Sequence, residues 1–237
     1  MRVVIHQPSY LPWLGFFDRV AQSDVYVVLD TVQYDKHGWR NRNRIKTPAG
    51  PQWLTVPILT RHRPGLSVGD AMIDPHVPWS RKHVNALRAN YARAPYGARY
   101  LDPLAELLHR PWQRLLEVTT ALDEFLFRAL GMHPRRVPAS TLGDLTASSA
   151  SDRLAVICRK LGATEYLSPD AAKDYLDPEP FQRVGVAVRF HGYRHPVYPQ
   201  LHGPFTPSLS IVDLLMNCGD QSFAILTHRS APVSVAP

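Results

Sequence analysis

Three runs decide the fold class: Val3-Val4-Ile5-His6-Gln7-Pro8, Phe16-Phe17-Asp18-Arg19-Val20-Ala21 and Val25-Tyr26-Val27-Val28-Leu29. The first and third are β-branched runs that end in polar residues, which is typical of buried strands, and the second begins a helix. A strand, a helix of about ten residues and a second strand form a βαβ unit with parallel strands. The pattern predicts an α/β fold with a Rossmann-like, mostly parallel sheet and a helical C-terminal half.

The composition is that of an ordinary globular protein. The 237 residues are 45% hydrophobic and 20% charged, and no apolar run is long enough to span a membrane. Met1-Arg2 leads directly into a strand without the apolar region of a signal peptide, so we expect a cytoplasmic protein without a membrane partner. Cys158 and Cys218 lie far apart without metal-ligand spacing, and we expect no metal and no other cofactor.

The chain is expected to form a single α/β domain over residues 1–226. Residues 1–78 contain the βαβ unit, a basic loop and a third strand at residues 52–57. Residues 79–226 are predicted to be mostly helical with further strands, whereas residues 59–77 are predicted to be an active-site flap or an irregular crossover. Residues 227–237 are expected to be a disordered tail.

Polar residues stand where the first two strands end. His6 and Gln7 follow the first strand, and Asp30 follows the second. Ligands bind at the carboxyl ends of strands in open α/β sheets, so these three residues are expected to converge on one cleft as catalytic candidates. Asp30 suits an acid or base beside a substrate amine, with helix capping or pairing with an arginine as alternatives.

The net charge of +7 is most concentrated in Trp39-Arg40-Asn41-Arg42-Asn43-Arg44-Ile45-Lys46. Arginine presents a bidentate fork to phosphate or carboxylate, and asparagine adds neutral donors, so this loop is predicted to be an anion clamp. Lys82-His83 lies in the first turns of a helix, where a cation needs an anionic partner, and His83 is a further catalytic candidate. The predicted substrate-binding residues are Tyr10, Gln33, Lys36, Trp39, Arg40, Asn41, Arg42, Arg44, Lys46, Lys82 and Tyr198.

Asp213 lies in the last predicted helix among apolar neighbours. A buried carboxylate needs a partner, and the basic loop offers an arginine or a lysine. His191, His195 and His202 match no zinc spacing.

Sequence blocks along nearly the whole chain carry a family resemblance. They are His6-Gln7-Pro8, Leu29-Asp30-Thr31-Val32-Gln33-Tyr34, the basic loop, Trp53-Leu54-Thr55-Val56-Pro57, Lys82-His83, Ala94-Pro95-Tyr96, Tyr198-Pro199-Gln200 and Leu209-Ser210-Ile211-Val212-Asp213-Leu214-Leu215. The chain resembles the WbqC-like proteins of bacterial polysaccharide and specialised-metabolite gene clusters. His6 is a local departure, because this position is often Met in the family. The resemblance implies an enzyme that transfers an acyl or aminoacyl group to an amine of a sugar or similar metabolite.

Two other functions are consistent with the residues. The opening strand, proline-containing loop and helix resemble nucleotidylyltransferases and class I synthetases, although the second histidine usual there, near Gly15, is missing. A phosphorylated or nucleotide-linked metabolite would then be the substrate. The positive charge also fits a non-catalytic RNA-binding module that engages tRNA. If aminoacyl-tRNA were the donor, tRNA binding and aminoacyl transfer would be properties of one enzyme.

Overall fold

The computed structural model describes residues 1–36, 38–61 and 65–228. Within these residues the strands are β1 (Arg2–His6), β2 (Val25–Val28), β3 (Arg42–Thr47), β4 (Gly50–Thr55), β5 (Arg136–Pro138), β6 (Glu165–Ser168) and β7 (Ala187–Phe190). Five of them form a sheet in the order β5-β2-β1-β6-β7, and every neighbouring pair is parallel. Counted along the chain, this order is 3-2-1-4-5, the order of the Rossmann fold. The predicted α/β class is confirmed.

The helices are α1 (Leu14–Ala21), α2 (Trp79–Tyr91), α3 (Gly97–Leu108), α4 (Leu115–Ala129), α5 (Ala150–Lys160), α6 (Glu179–Arg183), α7 (Ile211–Cys218) and α8 (Ser222–Leu226). The ends of two helices follow from local sequence. Gly131 and Gly162 follow α4 and α5 with φ of 68° and 67°, the left-handed conformation that ends a helix. Ser149 caps α5 by accepting a hydrogen bond from the Asp152 amide at 3.0 Å. In the described part of the chain, no helix has the length and apolarity to cross a membrane.

Two buried clusters lie on the two faces of the sheet, because successive strand side chains point in opposite directions. Val4 and Tyr26 face the larger cluster, which includes residues of α1 to α4, α7 and the β3–β4 hairpin. Val3 and Ile5 face the smaller cluster, which includes residues of α5 and α6. The connection that follows β1 therefore packs on one face of the sheet, and the connection that follows β6 packs on the other.

The predicted basic loop is mostly a strand, so that prediction was wrong. β3 pairs antiparallel with β4, which places Arg44 opposite Trp53 in a separate two-stranded sheet. Asn43 and Ile45 are buried while Arg42 and Arg44 are half-buried, a period of two that indicates a strand. The many charges obscured this alternation. The third predicted strand also lies in this hairpin, outside the parallel sheet, and β5 was not predicted.

The predicted flap at residues 59–77 packs against neighbouring segments. Ile58 bridges Ile73, and Met72 bridges Arg114. Residues 62–64 and the tail residues 229–237 lie outside the described residues.

Candidate functional site

The strand order runs outward from β1 in one direction and from β6 in the other, so the switch point of the sheet lies between these two strands. The loop after β1 carries Gln7 and Ser9, and β6 ends at Ser168. In doubly wound sheets this switch point is where ligands bind. His6 is the last residue of β1 and therefore stands at this switch point.

His6 is held as a neutral imidazole. Nη2 of Arg19 donates a hydrogen bond to its Nδ1 across 2.9 Å. Arginine has no acceptor, so Nδ1 carries the lone pair and the proton is on Nε2. Burial, and then the charges of Arg19 and Arg40, hold the pKa of His6 well below its ordinary value. The nearest protein partner of Nε2 is Ser9 Oγ at 3.5 Å, which is long for a hydrogen bond, and this N–H is available to a ligand oxygen.

Arg19 is a buried cation that forms no ion pair with any described residue. Its Nη1 is buried and has no hydrogen-bond partner within residues 1–36, 38–61 and 65–228. Asp170 is a carboxylate that acts on it electrostatically, but it pairs with Lys173 at 2.7 Å. A buried charge without a counter-charge lowers the stability of the folded protein by roughly several kcal/mol. The arrangement is therefore suited to receive an anion.

Arg40 brings a second guanidinium to the same loop. Its Nη1 donates to Ser9 Oγ at 2.9 Å and to the Gln7 carbonyl at 3.4 Å. Its own carbonyl accepts from the Tyr10 amide at 2.9 Å, which ties the hairpin entrance to the loop after β1. We call the group His6, Gln7, Ser9, Arg19 and Arg40 the anion pocket.

Ser9 in the anion pocket is not an activated nucleophile. Its hydroxyl donates to the Gln7 carbonyl at 3.1 Å and accepts from Arg40. The proton therefore points away from His6, whereas a serine nucleophile must give its proton to the histidine.

Asp30 is engaged elsewhere. Its Oδ1 accepts from the Ser140 amide at 2.9 Å, and its Oδ2 accepts from the Ser140 hydroxyl at 2.7 Å. These bonds cap the 3-10 helix Ala139–Leu142 that follows β5. Of the roles considered for Asp30, the contacts favour capping, and we leave Asp30 out of the anion pocket.

Tyr10 and His83 form a buried pair. The Tyr10 hydroxyl donates to Nδ1 of His83 across 2.8 Å, and Trp79 packs against both rings. Burial lowers the pKa of His83 to about 4, so His83 is neutral at pH 7. Both residues are buried, and we therefore assign the pair to the core rather than to substrate binding or catalysis.

Three other predicted binding residues are buried and structural. Asn41 donates to the Val56 carbonyl at 2.7 Å, and Lys46 donates to Gln200 at 3.1 Å. Tyr198 donates to Asp213 at 2.9 Å, and Gln200 donates to the same carboxylate at 2.8 Å. The expected arginine or lysine partner of Asp213 is wrong, because the carboxylate accepts from Tyr91, Tyr198 and Gln200, and Lys46 bonds Gln200 instead.

The remaining predicted residues lie at the surface. Gln33, Lys36 and Lys82 are exposed, and no described contact joins them to the anion pocket. Trp39, Arg42 and Arg44 lie together at the hairpin, where Arg42 and Arg44 contact Trp53. The residues of the predicted anion clamp therefore lie in two places. Arg40 belongs to the anion pocket, whereas Arg42 and Arg44 lie on the hairpin.

Arg19 is not among the predicted site residues, although it bonds His6 in the anion pocket. The signal was available, since Asp18-Arg19 interrupts an otherwise apolar helix segment. A charge on the buried stripe of a short helix needs a partner. Asp18 has one, because its Oδ2 lies 2.6 Å from Nε2 of His191.

Comparison with known proteins identifies the family of the chain. A model of the WbqC-like protein family matches residues 7–225, a span that includes Arg19, Arg40 and the hairpin. The chain is also 36% identical over 225 residues to an uncharacterized protein of Mycobacterium tuberculosis, covering 93% of this chain and 95% of that protein. The chain therefore belongs to the WbqC-like protein family.

Proposed function

We propose that this protein is a cytoplasmic transferase of polysaccharide or specialised-metabolite biosynthesis. It transfers an acyl or aminoacyl group from an anionic donor to an amine of a sugar or similar metabolite. The observation that carries the proposal is the buried guanidinium of Arg19, which has an unpartnered Nη1 beside the neutral imidazole of His6.

The two arginines and the histidine have separate tasks in this proposal. Arg19 and Arg40 bind a phosphate or carboxylate of the substrate, for which charged donors in a partly desolvated site are well suited. His6 donates its Nε2–H to the acyl oxygen, on which negative charge develops when the amine attacks. A neutral imidazole that is fixed in place before the reaction stabilises such an oxyanion.

The proposed step is balanced without a further reactant. The amine nitrogen forms a bond to the acyl carbon, and the bond from that carbon to the departing donor oxygen breaks. The proton that the amine loses is taken up by that oxygen. His6 holds the oxyanion during the step and returns to its starting state.

Nucleotidyl transfer is the second candidate, and the position of the anion pocket at the switch point of the sheet favours it. The Rossmann strand order and a cationic crevice at its switch point suit a nucleotide phosphate. This reaction would release pyrophosphate from a nucleoside triphosphate, whereas acyl transfer to an amine would form an amide.

Product analysis by mass spectrometry separates the two. The protein is incubated with amino-sugar nucleotides and either aminoacyl-tRNA or a nucleoside triphosphate. We expect an amide product whose formation falls by about 10²-fold in His6→Phe, which cannot donate a hydrogen bond. Lys82→Ala, which removes an exposed cation away from the pocket, is the matched control. Full amide formation by His6→Phe, or pyrophosphate release without an amide, would contradict the proposal.

A further inference from the structure

Two exposed tryptophans lie together at the β3–β4 hairpin, Trp53 within β4 and Trp39 three residues before β3. Trp39 and Trp53 are 45% and 43% exposed, and their ring centroids lie 4.8 Å apart. The inner face of the hairpin is packed by Ile45 and Leu54, which are buried. The exposed tryptophans are therefore not needed to anchor the hairpin, and a pair of large exposed aromatic rings marks an interaction surface.

Two arginines lie against these rings. The guanidinium carbon of Arg42 lies 4.9 Å from the Trp53 ring centroid. That of Arg44 lies 5.5 Å from the Trp39 centroid and 5.7 Å from the Trp53 centroid. We call Trp39, Arg42, Arg44 and Trp53 the tryptophan platform. Aromatic faces interleaved with cations stack bases and neutralise phosphates in proteins that bind single-stranded nucleic acids.

The tryptophan platform adjoins the anion pocket along the chain. Arg40 reaches Ser9 and Gln7 in the pocket, and Arg42 begins β3 two residues later. Two residues span at most about 7 Å, so the backbones of Arg40 and Arg42 lie no farther apart than that. A nucleotide also carries its phosphate and its base at a short separation, on either side of the ribose. This proximity along the chain makes one nucleotide a candidate occupant of both surfaces.

We propose that the tryptophan platform stacks an unpaired nucleobase of the substrate while the anion pocket holds its phosphate. This inference deepens the proposed function, on which it rests for the role of the pocket, by making the donor or acceptor a nucleotide or the single-stranded end of an RNA. The net charge of +7 favours such a partner over a neutral sugar. A membrane surface is less suitable, because the rings lie on a hairpin flanked by guanidinium groups instead of on the apolar face of an amphipathic helix.

The test measures binding of a fluorescent single-stranded oligoadenylate by anisotropy, with AMP as a competitor. We expect Trp53→Ala to weaken binding by at least about fivefold and Trp53→Phe to restore most of it, because phenylalanine still stacks. Arg159→Ala, which removes an exposed cation from α5 on the other face of the sheet, should have little effect. Competition by AMP would indicate a free nucleotide as the source of the base, and its absence would indicate RNA.

Inorganic pyrophosphate and anionic vesicles complete the experiment. Pyrophosphate probes the anion pocket alone, and its affinity should be the same in Trp53→Ala. The inference is overturned if Trp53→Ala leaves oligoadenylate and AMP binding unchanged, or if the protein binds neither. It is also overturned if the substitution weakens binding to phosphatidylserine vesicles but not to oligoadenylate. Pyrophosphate binding that persists in any of these cases leaves the proposed function standing.

Discussion

Nη2 of Arg19 donates to Nδ1 of His6 across 2.9 Å, and this one bond fixes the chemistry available to both residues. It leaves the proton of the neutral imidazole on Nε2, so His6 acts as a donor and not as a base. It also orients the guanidinium of Arg19, whose buried Nη1 has no partner in the described structure. A donor and a cation are thus held at the end of β1 before any ligand arrives.

Arg19→Met should stabilise the protein and abolish anion binding. The substitution removes a buried cation that has no counter-charge and leaves an apolar chain of similar length. We expect the free energy of unfolding at pH 7 to rise by about 1 kcal/mol or more, as is usual where a functional site is built at a cost in stability. Urea denaturation without ligand measures this. A loss of stability would instead make Arg19 a structural residue.

Asp30→Asn should affect stability and leave ligand binding unchanged. The asparagine amide cannot accept both hydrogen bonds from Ser140, so the cap at residue 139 weakens. The expected cost is about 1 kcal/mol in the free energy of unfolding, with unchanged affinity for pyrophosphate. If turnover fell about 10²-fold at unchanged stability, Asp30 would be the proton acceptor that its position after β2 first suggested.

Stability should decrease as the pH falls from about 6.5 to about 4, in part because of His83. Its pKa is lowered from 6.5 to about 4 in the folded protein, mainly by burial. The unfolded chain therefore binds a proton before the folded protein does. The contribution is fully present above pH 6.5 and is lost as the pH falls toward 4, by up to about 3 kcal/mol. His6 has a shift in the same direction.

Urea denaturation at pH 7 and pH 4.5 checks the contribution of His83. The difference in the free energy of unfolding between the two pH values should be smaller in His83→Gln than in the unchanged protein, because glutamine does not titrate. An equal difference in both proteins would assign the pH dependence to other groups.

The βαβ unit could be predicted because local pattern and tertiary structure agree there. Val3, Val4 and Ile5 are buried on both faces, so an uninterrupted apolar run was the correct signature of a central parallel strand. β3 could not be recognised as easily, because its outer face is covered by charges and its inner face holds Asn43 beside Ile45. Hydrophobic periodicity fails where a strand's buried positions include polar side chains.

The site could be predicted in part. His6, Gln7 and Arg40 were correct as neighbours, since strand ends converge at one edge of a parallel sheet. Tyr10 lies in the same loop after β1, but its side chain points into the core and forms a hydrogen bond with His83. No local pattern reveals this contact, because the two residues are 73 positions apart. Arg19 is important because it is buried without an ion-pair partner in the described part of the folded protein. A sequence does not show which groups a side chain meets after folding.

The most direct test of the anion pocket is calorimetric titration with inorganic pyrophosphate. Arg40→Gln removes a charge from the pocket, and Lys82→Ala removes an exposed charge from α2. We expect Arg40→Gln to weaken binding by about tenfold or more, because a charge-assisted hydrogen bond contributes about 1.5–3 kcal/mol. Lys82→Ala should bind as the unchanged protein does. Equal affinities in the two variants would contradict the assignment of the anion pocket.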